Sequence, residues 1–349
     1  RIAMKLDWNQ LGRPIVALSP MADMTDSAFC QVVRAVTPPS PEGRPLVMFR
    51  EMVSAEAVVR GNEKTLGMTD IHPAERPLVQ QIFGSDPDTM AEAARIIEKE
   101  HHPEGFDINM GCPVYKLVHN FNGAALMKDP VLAAEIVRKV KAAITVPLSV
   151  KIRAGWSDPK ECWDFIKVLE DAGADLVTIH GRTKVQGYSG RADWNTIAEA
   201  KKRVKIPVLA NGDIHDAALV PEALKTSGCD GVLIARGALG NPWFFRQAEE
   251  ALAGKTPTPI SAEERIRVVK EHARLHVAQY GERAINTFRK HLSWYFKGLR
   301  GAKLFRERLV RVSTLAELDA VLDDMLKNGF DGKEEAPRAA SLPSITCAD

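Results

Sequence analysis

Eight short apolar runs recur between Ile15 and Ala235, and the stretches between them carry helical periodicity. The runs are Ile15 to Leu18, Leu46 to Met48, Leu78 to Phe83, Phe106 to Asn109, Leu148 to Ile152, Leu176 to His180, Val208 to Asn211 and Gly231 to Ala235. Runs this rich in Val, Ile and Leu suit strands buried on both faces, the condition of a parallel sheet covered by crossover helices. Helices are expected at Asp88 to Lys99, Pro130 to Ala143, Glu161 to Ala172 and Ala217 to Thr226. Eight βα units closing on themselves make an α/β fold of the (β/α)8 TIM barrel type, which takes about 250 residues. The barrel is therefore expected over residues 1–253. A doubly wound sheet is the competitor, and the first strand lacks the G-x-G-x-x-G turn that would favour it.

After "GKTPTPIS" (Gly254 to Ser261) the strand signals stop, and Ala262 to about Leu326 reads as helix, so an all-α domain is expected over residues 254–330. From Arg283 to Arg311 there are nine Lys or Arg and one acid, Glu307, interleaved with Phe288, Trp294, Tyr295, Phe296 and Phe305. Residues 331–349 have the composition of a disordered tail.

Composition narrows the function classes. At 349 residues and 45% apolar content the chain can bury a large core plus a smaller one. No apolar run approaches the roughly 20 residues that span a bilayer, and "RIAMKLDWNQLGRP" has no signal-peptide pattern, so a cytoplasmic location is expected; a monomer is expected as well, on no sequence feature of its own. Cys30, Cys112, Cys162, Cys229 and Cys347 show no C-x-x-C pair or metal-ligand spacing. Neither a disulfide framework nor a metal site is expected.

In a barrel the chemistry sits at the carboxyl ends of the strands. Those ends are polar one after another: "SPMADMTD" (Ser19 to Asp26), Glu51, Gln81, Asn109 with Cys112, Lys151 with Arg153, His180 with Arg182, "NGD" (Asn211 to Asp213) and "ARG" (Ala235 to Gly237). One Lys or Asn after a strand is usually a cap or a solvated loop residue; a series of eight is harder to obtain by chance. The last two loops contain glycine and lead into helices, where barrels bind phosphate through backbone N–H groups. Gly212, Gly237 and Arg236 are the expected contacts.

A free cysteine is most often a small buried hydrophobe, and Cys30, Cys162 and Cys229 fit that reading. Cys112 lies beyond a strand end, in a turn set by Gly111 and Pro113. A thiol in water titrates near 8.5, so at neutral pH it is mostly protonated and can act as an acid. No base stands beside it in sequence to make it a nucleophile.

At these residues the chain resembles the tRNA-dihydrouridine synthases. "SPMADMTD", "QIFGSDP", "DINMGCPVYKLV", "GAALMKDP", "VKIRAGW", "HGRTKVQGYSGRADW", "ANGDI" and "ARGALGNPW" are similar to that family's successive motifs, and the likeness runs from Ile15 to Leu326. The resemblance implies an FMN-dependent barrel with a helical tRNA-binding domain and NADPH as reductant. It places Pro20, Met21 and Ala22 beside the isoalloxazine. Gln81, Lys151 and His180 would bond the polar edge of the ring, with Lys151 stabilising negative charge on the reduced flavin. Asn211, Gly212, Asp213, Ala235, Arg236 and Gly237 would form the phosphate end of the cofactor site. Asn109, Arg182 and Lys184 would face the uridine. Reduction at C6 of uracil requires an acid at C5, and the resemblance gives that part to Cys112. A target inside folded tRNA must be flipped out, a task that the basic segment Arg283 to Arg311 would assist through phosphate contacts.

Several positions depart from the family pattern. Asp23 and Cys30 stand where Gly and Arg are expected, Phe121 stands where glycine is common, and "TPPSPEGRP" (Thr37 to Pro45) looks like a surface insertion. Two rival readings are kept. A flavin barrel acting on a small pyrimidine or enone would need no basic helical region, and an RNA-binding protein without chemistry would have no use for Cys112, Lys151, His180 and Arg182.

Overall fold

The computed structural model describes residues 6–333. Eight parallel strands close into a barrel in sequence order: β1 Ile15–Leu18, β2 Val47–Ser54, β3 Leu78–Phe83, β4 Gly105–Met110, β5 Leu148–Gly155, β6 Leu176–Thr183, β7 Val208–Asn211 and β8 Gly231–Ile234. β1 closes on β8 in register from Ile15 opposite Gly231 to Leu18 opposite Ile234. Leu6 and Trp8 pack with Ile15, Phe49, Val79, Leu209 and Leu233 in one interior cluster. The faces turned to the helices form the larger core, with Ile82, Ile108, Val150 and Ile179 among its buried members.

Three strands run at least three residues further toward the mouth than their apolar runs suggest. β2 continues to Ser54 through a register shift between Arg50 and Val53, so Glu51 lies inside the strand. β5 and β6 continue to Gly155 and Thr183, carrying Lys151, Arg153, His180 and Arg182 within their last residues. Polar side chains end the hydrophobic signal before they end the strand. The helix starts are explained locally. Asp86 and Asp129 accept backbone N–H bonds from Thr89 and Leu132, each just before a proline whose missing N–H costs nothing in a first turn. The single helix expected over Ala217 to Thr226 is instead a 3-10 turn, Ala217–Leu219, followed by an α-helix, Val220–Ser227. Pro221 favours a fresh first turn there.

Helices Ala262–Tyr280, Ile285–Tyr295 and Leu315–Lys327 share a second core of Ile266, Val269, Phe288, Leu292, Leu318, Leu322 and Met325. Val32 of the helix Ser27–Val36 and Trp243 at the end of the barrel join it, so the two cores meet across a packed joint. Phe288, Tyr295, Phe296 and Phe305 are buried in this core and Trp294 is half-buried, while Arg283, Lys297, Arg300, Lys303, Arg306, Arg308 and Arg311 are exposed. Among the described residues no helix is long and apolar enough to cross a membrane. The segment Thr37 to Pro45 is a loop before β2, tied to the barrel by an ion pair from Arg44 to Glu249. Most of the expected tail, with Cys347, lies outside the described residues.

Candidate active site

The strand ends surround one cavity. Pro20, Met21 and Ala22 form one wall, Asn109, Cys112, Lys151 and His180 another, and Asn211, Gly212, Asp213, Ala235, Arg236 and Gly237 the far end. Thirteen of the sixteen expected site residues thus line a common space. Gln81, Arg182 and Lys184 do not.

The loop after β1 is pinned from two sides. Met21 N donates to Thr25 Oγ1 at 2.8 Å, and Asp23 N donates to Glu51 Oε2 at 2.7 Å. Burial pushes the Glu51 carboxyl up to about 7, against that hydrogen bond. From the helical domain, Lys290 Nζ donates to the Asp23 carbonyl. Asp23 sits at φ 60°, the left-handed region where glycine costs least, and Phe121 does the same at φ 59°. Both residues thus hold a backbone conformation that glycine adopts more readily.

A chain of hydrogen bonds beneath the cavity ends at the cysteine. Ser149 Oγ donates to Asp107 Oδ1 at 2.6 Å, and Gln81 Nε2 donates to Asp107 Oδ2 at 2.6 Å. Asn109 Nδ2 donates to Gln81 Oε1 at 3.0 Å, and Asn109 Oδ1 accepts from the N–H groups of Gly111 and Cys112 at 3.1 and 2.9 Å. Gln81 is thus engaged at both ends of its amide, one layer below the lining. The Cys112 turn is held from outside as well: Arg153 Nε donates to the Gly111 carbonyl at 2.9 Å, and Ala124 N donates to the Cys112 carbonyl at 3.0 Å. A Cβ on Gly123 would come within 2.7 Å of that carbonyl, so only glycine permits the approach. Cys112 itself is half-buried, whereas burial pushes the thiols of Cys162 and Cys229 up to about 12 and about 11. Of the described cysteines, Cys112 alone lines the cavity.

The walls are cationic. Burial, then the Arg153 guanidinium, push the Lys151 ammonium down to about 8, with Asp107 opposing them. Among the described residues Lys151 forms no hydrogen bond or ion pair, which leaves its ammonium to meet an anion in the cavity. Burial, followed by the charges of Arg153 and Lys151, holds His180 well below the ordinary imidazole range, so its ring is neutral. Arg182 is only 1% exposed and donates to the carbonyls of Ser189 and Gly190 and to Asp213 Oδ2, the last at 2.7 Å. It fastens the loop after β6 to the loop after β7. Asp213 also pairs with Arg236 at 3.5 Å, so its carboxylate orients two guanidinium groups. Lys184 lies 4.6 Å from the centre of the Trp156 ring, outside the cavity.

Two glycines shape the far end. A Cβ on Gly212, at φ 112°, would lie 2.6 Å from Ala192 Cβ and 2.7 Å from His180 Cδ2; one on Gly237 would lie 2.6 Å from the Ile214 carbonyl oxygen. With the Arg236 guanidinium beside them, these turns fit an anionic group. Sequence reasoning missed Met52, Tyr188 and the structural part of Arg153. Tyr188 lies 4.8 Å from Arg236 and 5.6 Å from Arg153, ring centre to guanidinium, in a loop with no periodicity to mark it.

Comparison with known proteins bears on the family of the chain. The chain is 38% identical over 314 residues to the probable tRNA-dihydrouridine synthase 1 of Synechocystis sp., covering 89% of this chain and 86% of that protein. It is 36% identical over 356 residues to the probable tRNA-dihydrouridine synthase of Mycobacterium tuberculosis, covering 98% and 91%. It is 37% identical over 321 residues to tRNA-dihydrouridine synthase B of Pseudomonas syringae pv. tomato, covering 91% and 93%. Among solved structures, histamine dehydrogenase from Rhizobium sp. 4-9 superposes with a TM-score of 0.54 at 11% identity, over 90% of this chain and 62% of that one. A 2-naphthoyl-CoA reductase complex superposes with a TM-score of 0.52 at 12% identity, over 69% and 50%. The chain thus spans only half to about three fifths of those two structures, and at such identities the likeness is one of fold. The model of the dihydrouridine synthase family matches residues 16–330, and this chain belongs to that family.

Proposed function

We propose that this protein reduces the C5=C6 bond of one uridine in tRNA, with bound FMN as cofactor and NADPH as reductant. The observation that carries the reading is the meeting, in one cavity, of a glycine-shaped anion cradle, an unpaired lysine, a neutral histidine and a thiol on a rigid turn. Gly212, Gly237 and Arg236 would hold the FMN phosphate, and Pro20, Met21, Ala22, Lys151 and His180 would lie along the ring. Bound there, FMN supplies the hydride that NADPH provides.

The residues of the chain do the rest. The Lys151 ammonium faces the cavity and offsets negative charge that develops there during reduction. Hydride arriving at C6 of uracil leaves an enolate over C5 and O4, and the Cys112 thiol delivers the proton to C5. Asn109 and Cys112 line the same wall and would position the pyrimidine edge. Arg182, the expected substrate contact, is given the supporting part that its bonds to Asp213 describe. Lys184, which shares the Trp156 ring with Lys128, would meet a flanking phosphate. The exposed arginines and lysines of the helical domain supply the sequence-independent grip on RNA that base flipping demands.

The test is incubation of unmodified tRNA with protein, FMN and NADPH, followed by nuclease digestion and mass spectrometry. Dihydrouridine at one position supports the proposal and names the target. Protein that turns yellow and oxidises NADPH, acts on free uracil or an enone and leaves tRNA unchanged would favour the small-molecule reading instead.

A further inference from the structure

Donor and acceptor counting gives the relay beneath Cys112 a direction. A carboxylate can only accept, and a backbone N–H can only donate. Between Asp107 at one end and the N–H groups of Gly111 and Cys112 at the other stand two primary amides, each with one carbonyl and one NH2 group. Only one orientation satisfies every link: Gln81 turns its NH2 to Asp107, Asn109 turns its NH2 to Gln81, and the Asn109 carbonyl is left facing the turn. Asp107 and Gln81 are 0% and 2% exposed, so water cannot repair a mismatch.

We propose that Asp107 is a positioning residue for the proton donor, acting through Gln81 and Asn109 to set the backbone of Cys112 against the substrate. This rests on the reading of Cys112 as the acid. Asp107 does not line the cavity; its part is to decide which way two amides point. Ser149 supplies the second bond that keeps the carboxylate in place, 2.6 Å from its other oxygen.

Counting also designs the test. In N109D the introduced carboxylate still accepts from the turn, but its other oxygen meets Gln81 Oε1, acceptor against acceptor. Adding D107N reverses the whole relay consistently. The amide introduced at position 107 donates to Gln81 Oε1, Gln81 Nε2 donates to the carboxylate at position 109, and Ser149 still donates to the carbonyl oxygen at position 107. We expect N109D to slow single-turnover dihydrouridine formation by about 10²-fold, with FMN content and NADPH oxidation retained, and the N109D/D107N double variant to regain at least about tenfold of that loss. D107N alone should cost less than N109D, because Ser149 Oγ can accept from the introduced NH2 group while turning its proton to the Phe106 carbonyl, 3.2 Å away.

A double variant as slow as N109D would overturn the proposal, because charge at position 109 would then account for the loss. Should N109D not fold, Q81M, which cuts the relay without adding charge, should show a similar loss that D107N does not rescue; rescue by D107N would count against the idea. The rate of Cys112 alkylation by iodoacetamide, read by peptide mass spectrometry, separates this inference from the proposed function. If the wild type makes no dihydrouridine, the function fails, and the relay still stands or falls on whether N109D changes that rate and the double variant restores it.

Discussion

Two buried polar clusters lie on either side of the loop after β1, and they are built on opposite principles. At the barrel mouth, Asp107, Lys151 and Glu51 are drawn toward neutrality, to about 6, about 8 and about 7, mainly by burial. At the joint with the helical domain, Asp26 caps the helix Ser27–Val36 through Phe29 N and lies 3.6 Å from His276 Nδ1, while His272 bonds the Tyr295 hydroxyl at 3.0 Å. The rings of His272 and His291 pack at 4.6 Å, and His272 meets Phe288 at 4.9 Å. Burial pushes His272 down to about 3 and His291 well below its ordinary value, and the cluster opens on no cavity that holds the mouth residues. Of the three only Lys151 lines the cavity, where a group near neutrality can exchange protons at working pH; Asp107 and Glu51 lie behind the lining. Groups driven far from neutrality act as packing with hydrogen bonds attached.

The sharpest way to break this contrast is to remove the proposed proton donor. Cys112→Ala should lower single-turnover uridine reduction by roughly 10²- to 10⁴-fold while FMN binding and NADPH oxidation persist; loss of the flavin would make the cysteine structural. Next in size, Gly212→Ala places a Cβ against Ala192 and His180 at a positive φ. It should weaken FMN by at least about tenfold, roughly 1.4 kcal/mol, in a fluorescence titration of apoprotein.

Stability against pH separates the two clusters by sign. A histidine with its folded value depressed contributes stability that is complete above its unfolded value near 6.5 and is lost as pH falls below it. Relative to His272→Phe, the wild type should lose about 1.4 kcal/mol per pH unit below about 6.5 in denaturant unfolding. Glu51, raised when folded, works the other way: relative to Glu51→Gln, the wild type should lose stability as pH rises from about 4.3 to about 7. Parallel curves for either pair would remove that group from the argument. The smallest effect lies in the loop beyond Cys112, where Phe121→Gly relieves a left-handed residue and should raise stability by less than about 1 kcal/mol in thermal unfolding.

The arithmetic of eight βα units was legible because burial on both faces leaves uninterrupted apolar runs, and β3 and β7 have the bounds that such runs predict. β2, β5 and β6 outran their signals where polar side chains replace apolar ones. The cavity lining was readable for a related reason, since strand ends in a barrel converge whatever their sequence distance. Tyr188 and the supporting bonds of Arg153 and Arg182 were not, because they arise from a loop folding back across two strands.

By itself the chain determined its periodicity, its order of strands and the chemical types presented at each strand end, because these are local properties of adjacent residues. Only the tertiary structure decided which of those groups face the cavity and which way they point. Gln81 and Asp107 are 26 residues apart, Asn109 and Gln81 are 28 apart, and Ser149 and Asp107 are 42 apart. The direction of a hydrogen bond between them depends on closing the barrel, which brings one partner that can only accept and one that can only donate to the two ends of the same buried chain.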